Sequence, residues 1–112
     1  MQRAALTIIA PSPEELMKCT GALIDAICPQ GKCLYSRARS WLLAYMPEEC
    51  LLKVYQRKPR SLNELGLVAP YSIAVKIECG KAEHVVTTAQ QVASILHRAC
   101  HGAALALEEE QA

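Results

Sequence analysis

The 112 residues contain no phenylalanine, one tryptophan and four tyrosines. Any core must therefore be built from aliphatic side chains and cysteine rather than stacked rings. Large net charge is also missing: 12 basic and 11 acidic residues leave +1. No field of either sign steers the chain toward nucleic acid or a lipid surface. No apolar stretch reaches the roughly 18 residues of a membrane span. The N-terminus, MQRAALTIIAPSPEE, is interrupted by Thr7 and stopped by Pro11 and Pro13, short of an h-region and cleavage site. Without an export signal the chain is expected to be soluble and cytoplasmic, with its six cysteines reduced. Those cysteines (19, 28, 33, 50, 79 and 100) include no C-x-x-C pair, so no metal site is expected of them, and most read as small buried hydrophobes. The five glycines are scattered, with no phosphate-cradling loop, no G-x-S-x-G is present, and no paired carboxylates stand at strand ends. Nothing adds up to a catalytic centre, and no cofactor is implied.

What is present is abundant apolar patterning, with 52% hydrophobic residues. Leu6 to Ala10 is a β-branched run ended by proline and predicts a buried strand. Ser12, Pro13 and Glu15 then mark a helix start, with an S-x-x-E capping box and proline in the first helical position. Leu16, Thr20, Leu23, Ile24 and Ile27 form its apolar face, and Cys28-Pro29-Gln30-Gly31 ends it. Lys32 to Ser36 and Ser40 to Met46 predict a hairpin turning at Arg37-Ala38-Arg39. Pro47-Glu48-Glu49 predicts a helix running to about Gln56, with Pro59 ending it. Ser61 and Glu64 form a second capping box, which Gly66 can close.

Tyr71 to Cys79 alternates apolar and polar residues and predicts a half-buried strand. Val85 and Val86 suggest another short strand, with Thr87 or Thr88 capping a last helix whose face is Val92, Ile95, Leu96 and Ala99. The order βαββαβα predicts an α+β, two-layer, ferredoxin-like domain over residues 1–102, with an antiparallel sheet and helices on one face. Residues 103–112 read as a frayed acidic tail.

Three constellations carry possible chemistry. His97 and His101 stand four apart with Cys100 between them and could share a helix face, yet no second ligand pair accompanies them. A Cys–His nucleophile pair lacks an orienting third group. Lys53, Arg57, Lys58 and Arg60, with Arg37 and Arg39 near Tyr35, Trp41 and Tyr45, could form a stacking sheet with a basic rim, but the RNP1 pattern is missing. A solvated helix face accounts for these charges, and no nucleic-acid or membrane partner is expected.

Read together, several short stretches resemble one family. Cys33-Leu34-Tyr35-Ser36-Arg37-Ala38-Arg39-Ser40-Trp41-Leu42-Leu43 resembles the Ser-Leu-Tyr, short turn, Tyr-Tyr-Leu hairpin of the C-terminal domain of MecA-type adaptors. Leu62-Asn63-Glu64-Leu65-Gly66 is similar to that family's Leu-Ser-Glu-Tyr-Gly, and Glu78-Cys79-Gly80-Lys81 to its Glu-Tyr-Gly-Lys. Ala89 falls near the alanine that opens the family's last helix, and the motif order agrees over roughly residues 6 to 100. The resemblance implies a domain that binds a Clp-type AAA+ unfoldase and serves regulated proteolysis, with substrates recruited by a separate N-terminal domain that this sequence does not contain. It also implies that Tyr71 to Lys81 need not be one strand, in tension with the alternation. Where the family has an acidic residue and an asparagine before the last helix, this chain has Thr87 and Thr88.

The leading expectation is a non-enzymatic protein-interaction domain with a protein partner, which the resemblance makes a Clp-type unfoldase. The expected contacts are Arg37, Arg39 and Trp41 on the hairpin and Glu83, His84, Thr87, Thr88 and Gln91 near the last helix. The alternative is a ferredoxin-like regulatory or self-assembling module, a homodimer or a binder of a small ligand.

Overall fold

The computed structural model describes residues 2–10, 12–57, 71–100 and 104–108. Strand β1 (Gln2–Ala10) lies inside the sheet, and the other elements are arranged about it. Ala4, Leu6, Ile8 and Ala10 are its buried row, the alternation expected of a strand with one face against a core. On one side β1 pairs antiparallel with β5 (Tyr71–Cys79), from Gln2 opposite Cys79 to Ala10 opposite Tyr71. On its other side it pairs antiparallel with β6 (Ala104–Glu108). The remaining strands β2 (Lys32–Ser36), β3 (Trp41–Met46) and β4 (Cys50–Arg57) form a meander that joins β5. Among the described residues the sheet has six strands in the order β2-β3-β4-β5-β1-β6.

Helix α1 (Pro13–Ile27) starts as its sequence predicts. Ser12 is extended, its Oγ accepts from the Glu15 backbone N–H at 3.2 Å, and Pro13 opens the helix. Leu16, Cys19, Thr20, Leu23, Ile24 and Ile27 are buried, and the Thr20 hydroxyl donates to the Leu16 carbonyl at 3.1 Å. Helix α2 (Ala82–Ala99) buries Val85, Thr88, Val92 and Leu96, a single stripe at helical spacing. The sheet contributes Leu42, Ala44, Leu52, Val54, Ile73, Val75 and Ile77 to the same core as both helices.

Several expectations are corrected. The domain is α+β, but it is not the two-layer βαββαβα ferredoxin-like arrangement: the element order is β1-α1-β2-β3-β4-β5-α2-β6, and among the described residues four consecutive strands separate the two helices. The helix predicted from Pro47 is strand β4, and Pro47-Glu48-Glu49 is the turn that leads into it. Glu49 has φ of 57°, the left-handed conformation that a hairpin turn demands and a helix forbids. Beyond it Cys50, Leu52 and Val54 are buried while Leu51, Lys53 and Tyr55 are only partly so, a period of two. The strand predicted at Val85 and Val86 lies inside α2, as do Thr87, Thr88 and Ala89, so none of them opens the helix. β-Branched residues have modest helix propensity, and here the apolar stripe outweighs it. Tyr71–Cys79 is one strand, as alternation predicts. Residues 104–108, placed by the sequence in a tail, run as β6. The second capping box, Ser61 to Glu64, lies outside the described residues.

The cysteines also depart from expectation. All six are paired, as Cys19–Cys100, Cys28–Cys33 and Cys50–Cys79. Cys50 and Cys79 stand directly opposite in the β4–β5 register with Cα atoms 4.2 Å apart. Cys19–Cys100 ties α1 to the end of α2 across 81 positions of sequence. In the loop-entropy account a closure of that span stabilises by about 4.5 kcal/mol, against about 2 kcal/mol for the five-position span of Cys28–Cys33. No helix among the described residues is long and apolar enough to cross a membrane.

The strand assignment of β4 is checked by two substitutions followed by urea denaturation. Leu52→Ala, which empties a fully buried site, is expected to cost about 2–5 kcal/mol. Glu49→Gly is expected to stabilise by up to about 1 kcal/mol by relieving the positive φ; a helix at this position would instead be weakened by glycine.

Candidate protein-interaction surface

Both helices cover one face of the sheet, so residues alternating with the core row point the other way. On β3 the core row is Leu42, Ala44 and Met46, and the opposite row is Trp41, Leu43 and Tyr45. Every position of this strand is apolar. A strand covered on one side needs apolar residues only at alternate positions, so the second row lacks an internal explanation. Register places Leu34 of β2 beside Leu43 and Lys32 beside Tyr45. Exposure runs to 65% at Leu34, 59% at Tyr45, 39% at Leu43 and 36% at Trp41. Tyr35, also exposed, lies on the helix-side row of β2 beyond the reach of the core.

Across β4 this face changes character. Lys53 stands opposite Lys76 of β5, and Glu78 forms ion pairs with both Lys53 at 3.9 Å and Arg3 of β1 at 3.6 Å. Ala5 and Ala74, further along the same face, are buried. The open part is therefore an apolar patch at the β2–β3 end, flanked by a charged ladder. An apolar centre with a charged margin is the usual composition of a protein-binding surface.

The turn between β2 and β3 is held from the helix side. Arg37 makes an ion pair and hydrogen bond to Asp25 of α1, and its guanidinium lies 6.0 Å from the Tyr35 ring centroid. Asp25 raises the Arg37 pKa above its ordinary value, through the hydrogen bond first and charge attraction second. Arg37, expected from sequence to contact a partner, thus has an intramolecular role as a tether. Arg39 is exposed, and its backbone N–H donates to Ser36 Oγ at 3.3 Å. Ser40 closes the turn with φ of 52°. At the other end of the hairpin Gly31 passes so close to the Tyr45 carbonyl that a Cβ would collide with it.

The remaining expected contact residues lie on the helix side. Thr87, Thr88 and Gln91 line a groove of about 460 Å³ between α1 and α2, with Ile27 and Met46 among its other walls. Thr88 is buried, and its hydroxyl donates toward Cys50 Sγ at 3.6 Å. The Thr87 hydroxyl is turned back to the Glu83 carbonyl at 2.9 Å. His84 faces Glu48 at 3.8 Å, in a shallow recess of about 370 Å³ shared with Glu49, Gly80 and Lys81. Trp41 and the α2 residues are on opposite faces of the sheet, so the structure does not gather them into one site. From the sequence Trp41 is an expected contact and Tyr45 enters only as part of a stacking sheet, while Leu34 and Leu43 are missed, although the uninterrupted apolar run of β3 is a signal for them.

Cys100 is bonded to Cys19, His97 is exposed, and His101 lies outside the described residues. Among the described residues no cluster of three or more His, Cys, Asp or Glu side chains could hold a metal ion. Comparisons of the chain with family models, curated proteins and solved structures find no match.

The two-faced reading of β3 is checked by introducing charge on each side. Leu43→Lys and Tyr45→Lys are expected to change unfolding free energy by no more than about 0.5 kcal/mol. Leu42→Lys, which places an unpaired charge in the core, is expected to abolish the cooperative unfolding transition.

Proposed function

We propose that this chain is a non-enzymatic protein-interaction domain that binds its partner through the open face of the β2–β3 hairpin. The observation that carries the reading is the cluster of Leu34, Trp41, Leu43 and Tyr45, exposed side by side on rigid strands. Exposed apolar side chains gathered in one patch cost solubility and mark contact surfaces, whereas scattered ones do not. Trp41 and Tyr45 are of the residue types that dominate binding energy when a partner excludes water from them.

The resemblance of this hairpin to that of MecA-type adaptors makes a Clp-type AAA+ unfoldase the first partner to try, in a cytoplasmic setting. A second reading is favoured by the three cystines, which persist most readily in an oxidising compartment. There the same patch serves a different protein partner.

The test is binding of a purified Clp-type unfoldase to the immobilised full chain, beside Trp41→Ala and Leu43→Ser variants of unchanged melting temperature. The unfoldase reading expects saturable binding that weakens at least about ten-fold in either variant. Absence of binding by the native chain rejects the unfoldase. Equal binding by all three proteins rejects the open face as the contact surface.

A further inference from the structure

We propose that Cys28–Cys33 is a thiol–disulfide exchange site, opened by a dithiol while the other two cystines remain closed. The three bonds differ first in access. Cys19, Cys50, Cys79 and Cys100 belong to the buried core, whereas Cys28 and Cys33 are only partly buried and flank it. Exchange requires an attacking thiolate to reach a sulfur. For Cys50–Cys79 the approach is blocked by the β4–β5 ladder and by Thr88 of α2. For Cys19–Cys100 it is blocked by the helix contact that the bond itself secures.

They differ next in what opening disturbs. Cys28 caps the end of α1 and Cys33 lies on β2, the edge strand, which pairs with β3 alone among the described strands. With the bond open, β2 keeps its five-residue ladder to β3, the close seat of Gly31 and the Arg37–Asp25 tether. The two buried cystines and the core residues around them are left in place. Opening Cys19–Cys100 instead frees the end of α2 from α1, so that cystine can be reached only through a larger opening of the structure.

The exchange balances without another cofactor. A thiolate of the dithiol attacks one sulfur of the pair, forms a mixed disulfide, and releases the other cysteine as a thiolate. The second thiol of the reagent then displaces the first cysteine and closes the reagent into its own disulfide. Two electrons pass from the dithiol to the cystine, which becomes two thiols. The site is thus a redox-sensitive joint between α1 and the strand that bears Leu34, and its chemistry is independent of which partner that strand meets.

The experiment uses the full chain oxidised in a glutathione buffer, treated under native conditions with millimolar dithiothreitol, quenched with iodoacetamide at intervals and mapped by peptide mass. Cys28 and Cys33 are expected to be labelled at least about ten-fold faster than the other four cysteines. Release of all six together, or of either buried pair first, overturns the proposal. So does an oxidised protein in which Cys28 and Cys33 are already labelled without reductant. The paired variant Cys28→Ser with Cys33→Ser, which keeps both buried cystines, is expected to lose the fast phase; a fast phase of unchanged size overturns the assignment.

Discussion

The ladder between β1 and β5 is the constraint on which the rest of the molecule depends. It joins residues 2–10 to residues 71–79, so the first strand is hydrogen-bonded to the fifth at the centre of the sheet. The β2-β3-β4 meander hangs from one side of this pair and β6 from the other. Both helices close over the row that the pair presents, Leu6, Ile8, Ile73, Val75 and Ile77. Because that row is aliphatic throughout, packing rests on shape-matching of Leu, Ile and Val across one layer of helix and one of sheet.

The cystines reinforce this arrangement unequally. Cys50–Cys79 locks the β4–β5 register at the point where Cys79 also faces Gln2 of β1. Cys19–Cys100 fastens the helix layer to itself. Cys28–Cys33 does neither, being confined to the corner where α1 passes into the edge strand. The edge strand carries a member of both this bond and the apolar patch, with Cys33 on its helix side and Leu34 on its open side.

Local signals in the sequence carried well where they were self-contained. The Ser12 cap, the Pro13 start and the apolar spacing to Ile27 each specify a helix within four residues of themselves, and α1 follows them. Alternation over Tyr71–Cys79 carried equally well. Pro47-Glu48-Glu49 misled because proline followed by acidic residues suits a helix start and a tight turn alike; only the long-range pairing of Leu52 with Ile77 decides between them. Val85 to Thr88 misled because propensity favours strand while the stripe to Leu96 favours helix, and that stripe matters only once a sheet lies beneath it. The cysteine pairs join residues from 5 to 81 positions apart and follow from the topology, not from spacing. Of the candidate surface, the aromatic bulk of Trp41 and Tyr45 stands out in the sequence, but the row they share with Leu34 and Leu43 does not. Which row of an apolar strand faces outward depends on where the helices settle.

The position of β1 has a consequence for how the chain comes into being. During synthesis its buried row, Ala4, Leu6 and Ile8, leaves the ribosome long before Ile73, Val75 and Ile77 exist to receive it. Helix α1 and the β2–β3 hairpin can form early from near neighbours, but the central seam must wait for residue 79. A fold of such non-local pairing is slow to close, and its earliest strand spends the interval unpartnered. The nascent chain therefore has a window in which the segment destined for the middle of the sheet is its most adhesive part. The order in which the chain is made thus runs against the order in which the sheet can close.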